Sequence, residues 1–277
     1  MILAYMWVDP SIPVKSKVTG LRCSHYEAIE VLHRYGFNGV EIMVGNPFLF
    51  EGNGTAGSFE NSGLRVTQLC TGEFFGTYGL TLNDRDYQRR KTALAWMFKT
   101  IEIASALNCS VNIGRFRGSI SLDDPVGSKE LMIESFQKID QVASLYEVTI
   151  LLEPLKPSVC NTLNSIAECA KLIEWLHLKQ FGVMLDTDHT DLTQERESLS
   201  RVNVTYVHLA DTAHAPLGRG NADFVRYFSI LQEINFDGYL SVETFCERAC
   251  CVEEVVSFLD TYITRTEEGV WVWKRKG

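Results

Sequence analysis

Short apolar runs alternate with segments of helical period along nearly the whole chain, and this alternation predicts parallel strands joined by helices. MILAYMWVDP opens the series as a strand. In HYEAIEVLHRYGF (25–37) the apolar positions Ala28, Ile29, Leu32 and Tyr35 share one helical face, and Gly36 stands where a glycine ends a helix. GVEIMV (39–44), RVTQLCTG (65–72) and SVNIGRF (110–116) read as strands two to four. A long helix is expected within 84–108, capped by Asp84, and further helices over 125–147, 165–177, 191–202, 223–236 and 252–266. The Gly- and Asn-rich stretch 45–63 is too irregular for a helix and reads as a long loop or short lid.

The remaining four runs carry the candidate chemistry. VTILLEP (148–154), FGVMLDTDH (181–189), VTYVHLAD (204–211) and GYLSVETF (238–245) place Glu153, Asp186, His208 and Glu243 towards their carboxyl ends. Eight strands alternating with helices point to an α/β fold, a (β/α)8 barrel, in which the carboxyl ends of the strands meet at one crevice. Residues far apart in sequence can then share one ion, and three carboxylates with one imidazole suit a divalent metal. A lone carboxylate at a strand end is as often a helix cap or an ion-pair partner; four compatible residues on consecutive strands are a stronger signal. His25, His33 and His177 fall in predicted helices and read as surface or capping residues.

Length and charge narrow the picture. With 277 residues, 45% of them apolar, the chain suits one barrel domain (1–277), with a tail (about 267–277) outside it. Trp271 and Trp273 alternate with valines in that tail, so it suits an added edge strand, a face that docks on a partner in a homo-oligomer, or packing back on its own barrel. A net charge of −9 argues against a nucleic-acid partner. The first apolar run lasts only eight residues before Asp9, too short for a signal segment or a membrane span. The eight cysteines show no CxxC pair and read as reduced thiols of a cytoplasmic protein.

From about residue 36 to 260 the ordered motifs TGEFFGTYGLTLNDRDYQRRKTALAWMFKTIEIASALNCSVNIG, LLEPLKPSVCNTLNS, MLDTDH, HLADTAHAPLGRGNADF and GYLSVETF resemble the xylose isomerase-like superfamily, and within it the ketose 3-epimerases. The resemblance implies a TIM barrel in which Glu153, Asp186, His208 and Glu243 bind one divalent ion, with Mn²⁺ expected and Mg²⁺, Co²⁺ or Zn²⁺ as the other candidates. It also implies that His189 bonds a substrate oxygen, with Glu41 or Glu73 nearby at the ends of strands two and three.

The chemistry gives those residues a reason. Epimerising or isomerising a sugar removes a proton beside a carbonyl, and a metal stabilises the enediolate charge that develops. Two glutamates entering from different strands, Glu153 and Glu243, suit an acid/base pair that withdraws the proton on one face and returns it on the other. The chain departs from the epimerase pattern at two substrate-touching positions, with His214 where an Arg is usual and Val159 where a Glu is usual. Arg115 and Arg117 of GRFRG, and Arg219 between two glycines, are candidates for an anionic group on the substrate. Other uses of this metal site are dehydration of an inosose-type cyclitol or apurinic-site cleavage, the latter requiring several zinc ions and more histidines. A non-catalytic sugar-binding protein is the remaining alternative.

Overall fold

The computed structural model describes residues 1–52, 54–245 and 249–274, without the side chains of 51, 52, 249 and 250. Its strands are β1 (Ile2–Val8), β2 (Gly39–Met43), β3 (Arg65–Cys70), β4 (Ser110–Ile113), β5 (Ile150–Leu152), β6 (Phe181–Val183), β7 (Leu185–Asp186), β8 (Tyr206–Leu209) and β9 (Tyr239–Val242). They hydrogen-bond in the order β6-β5-β4-β3-β2-β1-β9-β8-β7, every neighbouring pair parallel. Only Met184 separates β6 from β7, so the two are halves of one stave: the first half pairs with β5 and the second with β8. The ring therefore has the eight staves that the apolar runs predict, a (β/α)8 TIM barrel.

Helices α1 (His25–Arg34), α2 (Pro47–Gly52), α3 (Thr55–Ser62), α4 (Gly72–Gly76), α5 (Tyr87–Ala106), α6 (Pro125–Tyr146), α7 (Ile166–Leu176), α8 (Arg196–Leu199), α9 (Phe224–Glu233) and α10 (Ala249–Leu259) lie in the connections. Their starts follow capping chemistry. Ser24, Asp86, Asp124, Ser165 and Asp223 each accept a backbone N–H of the first turn. Asp86, not Asp84, caps α5; Asp84 instead accepts Arg89 Nε at 2.8 Å.

Three further expectations change. The stretch 45–63 is not a loop but α2 and α3, with Phe50 and Phe59 buried and Phe59 edge-on to Trp7 at 5.3 Å. Its glycines punctuate these helices: Gly54 (φ 64) precedes α3 and Gly63 (φ 86) ends it, both in the left-handed region that favours glycine. The helix expected over 191–202 shrinks to the single turn α8, because Asp191 bonds the backbone of Thr193 and the side chain of Gln194 and holds the preceding residues in a turn. The last helix stops at Leu259, and β10 (Ile263–Arg265) pairs antiparallel with β11 (Trp271–Trp273).

That hairpin closes the floor of the barrel. Trp271 is buried and donates its Nε1–H to Gly36 O, and Trp273 donates to Phe236 O, both bonds 3.1 Å long and both just ahead of barrel strands. The tail thus packs back on its own barrel. The reading of every cysteine as a reduced thiol is also corrected: Cys23, Cys70, Cys109, Cys160 and Cys169 are free, whereas Cys251 is disulfide-bonded, and the side chains of Cys246 and Cys250 lie outside the described residues. Irregular spacing in sequence says nothing of proximity in space. Among the described residues no helix is long and apolar enough to cross a membrane.

Trp271→Ala removes a buried indole and its hydrogen bond and is expected to cost about 3–5 kcal/mol in denaturant-induced unfolding. A loss below about 1 kcal/mol, the range of surface substitutions, would show that the hairpin only rests on the floor.

Candidate metal centre

Parallel pairing delivers the four residues to one level. Asp186 ends β7 directly beside His208 of β8. Glu153 and Glu243 each lie one residue past a strand and continue its ladder, through Glu153 N to Ile113 O and Glu243 N to Leu209 O. All four are buried, and one donor atom from each lies within 4.8 Å of the others. His208 Nδ1 is the hub, at 2.7 Å from Glu243 Oε2 and 3.7 Å from both Glu153 Oε1 and Asp186 Oδ2.

Orientation matters more than proximity here. His208 Nδ1 and Asp186 Oδ2 are buried and make no aligned hydrogen bond, despite the short approach of Nδ1 to Glu243. Orphaned donor atoms that converge on one point are what a cation requires, and the mixed oxygen and nitrogen set fits a divalent ion. The outer oxygens of the glutamates are tethered instead: Thr19 Oγ1 donates to Glu243 Oε1 at 2.8 Å, and Asn112 Nδ2 donates to Glu153 Oε2 at 3.3 Å. Gly114 leaves room for that carboxylate, because a Cβ there would lie 2.5 Å from Glu153 Oε2.

Burial opposes charge on each of these groups, yet their mutual attraction prevails. The carboxylates of Glu41, Glu243, Asp186 and Glu153 hold His208 well above the usual imidazole range. The neighbouring histidines in turn hold Asp186 and Glu243 below the usual carboxylate range. Burial pushes His214 down, but Glu243, Asp188 and Asp186 raise it to about 11. The cluster therefore favours positive charge at the point where its carboxylates converge.

The other predicted residues divide. His189, His214, Arg115 and Glu73 line a cavity of about 320 Å³ above the four, together with Lys17, Lys156, Asp188, Val159 and Phe245. His214 Nε2 stands 3.6 Å from both Asp186 Oδ2 and Glu243 Oε2, and with His189 and Asp186 it forms a second group, of three, whose donor atoms lie within 4.8 Å. Glu73 accepts Arg115 Nη2 at 2.9 Å and Thr77 Oγ1 at 2.6 Å.

Arg117 does not reach this cavity. It is fully buried, and its guanidinium donates to the carbonyls of Gly114, Glu153, Thr162 and Leu163, tying the ends of β4 and β5 to the next loop. Glu41 also misses the cavity, being wholly buried one layer below with both oxygens 3.0 Å from His208 Nε2. The glycines around Arg219 serve no anion either. Asp211 accepts the N–H groups of Thr212, Gly218, Gly220 and Ala222, and Arg219 is exposed and pairs with Glu254. No described residue of 45–63 lines the cavity.

Sequence reasoning missed Thr19, Asn112, Lys156 and Asp188. Asp188 accepts Lys156 Nζ at 2.7 Å and Ala213 N at 2.9 Å, and it lies 3.3 Å from His214 Nδ1. Asp188 and Lys156 lie inside the motifs MLDTDH and LLEPLKPSVCNTLNS, and Asn112 inside the run SVNIGRF, so these three were within quoted segments; Thr19 is a polar residue with no pattern around it.

Against known proteins, a family model described as xylose isomerase-like TIM barrel matches residues 29–265. A 3-dehydro-D-guloside 4-epimerase of Escherichia coli is 23% identical over 230 residues, 78% of this chain and 86% of the relative. An L-ribulose 3-epimerase of Methylomonas sp. is 22% identical over 161 residues, 57% of this chain and 54% of the relative. The crystal structure of a 3-keto-D-glucoside 4-epimerase from E. coli superposes with a TM-score of 0.74 at 20% identity, covering 94% of this chain and 98% of that one.

Mn²⁺ at about a hundred times its Kd is expected to stabilise the fold by about 2.7 kcal/mol, read as a rise of several degrees in melting temperature that EDTA reverses. Asp186→Asn should abolish the rise, because it weakens the donor shared by both groups. An equal rise in that variant would place the ion elsewhere.

Proposed function

Because the chain belongs to the xylose isomerase-like TIM-barrel family, we propose that it is a metal-dependent sugar epimerase or isomerase in which Glu153 and Glu243 form the acid/base pair. The observation that carries this reading is the convergence of two tethered glutamates, from staves three apart in the ring, on the His208–Asp186 pair. Both relatives are named for inversion at a carbon beside a ketone: carbon four of a 3-dehydro sugar, and carbon three of a 2-ketose. One proton chemistry serves both.

Glu153, Asp186, His208 and Glu243 are the proposed metal ligands. A divalent ion held there supplies Lewis-acid stabilisation of the negative charge that forms when the proton beside the carbonyl leaves. One glutamate withdraws that proton and the other returns it on the opposite face, which inverts the carbon. Thr19 and Asn112 fix the outer oxygen of each carboxylate, so both glutamates keep their orientation without a reorganisation during the reaction. Arg115, Glu73, His189 and His214 bind the hydroxyls or charged group farther from the reacting carbon.

Proton NMR of a panel of ketoses and keto-sugars in D₂O with the Mn²⁺-loaded protein tests the reading. Deuterium should enter at the carbon beside the carbonyl, and Glu153→Gln or Glu243→Gln should slow that exchange at least about a hundredfold. Absence of exchange across the panel, or a product that has lost water, would sink the epimerase reading. For a substrate with an acidic group, Arg115→Ala should raise KM about tenfold or more with little change in kcat, since a charge-assisted hydrogen bond contributes roughly 1.5–3 kcal/mol. A fall in kcat alone would move Arg115 from binding to chemistry.

A further inference from the structure

The centre of the barrel below the four candidate ligands is polar, which the apolar strands do not lead one to expect. Glu41 of β2 is fully buried there, and its carboxylate lies between three donors: His208 Nε2 at 3.0 Å from each oxygen, Tyr206 Oη at 3.0 Å and Gln68 Nε2 at 3.0 Å. The column continues downwards, because Thr67 Oγ1 lies 2.8 Å from Tyr206 Oη and donates to Val40 O. Its origin is local. The pairing of β2 with β3 shifts register after Val40, so that Glu41 faces Gln68 and Thr67 is the extra residue. Such a bulge re-aims side chains, and here Thr67 and Gln68 both reach buried polar partners inside the ring.

We propose that Glu41 is a positioning residue, which fixes the imidazole of His208 so that Nδ1 faces the metal centre. Both oxygens of the Glu41 carboxylate lie at Nε2, which fixes the orientation of the ring and turns Nδ1 the other way. Nδ1 is the atom that faces Glu153, Asp186 and Glu243 and has no aligned partner. A carboxylate behind a metal-binding histidine fixes ring orientation and raises basicity, and its loss typically weakens metal affinity 10–100-fold. Gln68 and Tyr206 keep Glu41 itself in place. The inference rests on the metal-site reading.

The test compares Mn²⁺ affinity, measured from the EPR signal of the free ion, in the wild type, Glu41→Gln and Tyr206→Phe. Glu41→Gln should bind about 10–100-fold more weakly. Tyr206→Phe, which removes one of the bonds that hold Glu41, should show a smaller loss in the same direction, and it carries the test if the first variant fails to fold. In the Zn²⁺-loaded protein, the Nε2–H resonance of His208 should be protected from exchange in the wild type and lose that protection in Glu41→Gln. If the wild type binds Mn²⁺ and the folded variants bind it equally well, with only a lower melting temperature, Glu41 is a packing residue and the proposal is overturned. If the wild type binds no Mn²⁺, the metal-site reading falls and the proposal with it.

Discussion

Repulsion among buried carboxylates is the constraint around which the mouth of this barrel is organised. Glu41, Glu153, Asp186 and Glu243 crowd one imidazole, and like charges about 4 Å apart repel by about 4 kcal/mol even at an effective dielectric constant of 20. Such a cluster persists only where positive charge or directed donors compensate, and where the backbone cannot relax to spread the charges. The chain supplies both. His208 and His214 provide the charge, Thr19 and Asn112 the donors, and the parallel ladders set the carboxylates at fixed heights. Arg117 ties the ends of β4 and β5 together through carbonyls alone, which keeps Glu153 in register without offering its guanidinium to the carboxylate. A divalent ion fits this frame because it can replace imidazole-borne positive charge at the point where the donor atoms converge.

The ring and its four candidate ligands were legible because period and placement coincide. A run of Val, Ile, Leu and Tyr that ends on Glu, Asp or His leaves few alternatives, since the apolar part must be buried and the polar end must find donors or a cation. What escaped was set by tertiary contact. In 45–63 the glycines suggested a long loop or short lid, but Phe50 and Phe59 find burial and draw the segment into two helices. Arg117 and Arg115 look alike in GRFRG, yet the single 3-10 turn at Arg115–Arg117 sends one inward to carbonyls and leaves the other half-exposed beside Glu73. The polar column under His208 was illegible for a different reason. It depends on a bulge, which a pattern of period two does not register.

The two ends of the cavity obey different physics. Towards the barrel axis Glu41, Gln68, Tyr206, Thr19 and Asn112 are held by buried side-chain hydrogen bonds, so the candidate ligands sit in a rigid frame. Towards the mouth, charges pair within the loops: Arg115 with Glu73, and Lys156 with Asp188. An internal ion pair offers a substrate only the donors that it leaves unused, so selectivity there comes from geometry more than from net charge. His214 is the join between the two regions. Its ring spans Asp188 on one side and Asp186 and Glu243 on the other, and its backbone (φ 56), like that of Ala213 (φ 58), lies in the left-handed region that costs a non-glycine residue energy. The bonds from Ala213 N to Asp188 and from Phe245 N to His214 O hold that strained turn in place. An arginine at the same position would carry its charge farther from the backbone. With a histidine there, the ring stays against the candidate metal centre, and Val159 adds no hydrogen-bonding side chain to the cavity lining, so the polar contacts of the mouth are left to the paired loop charges.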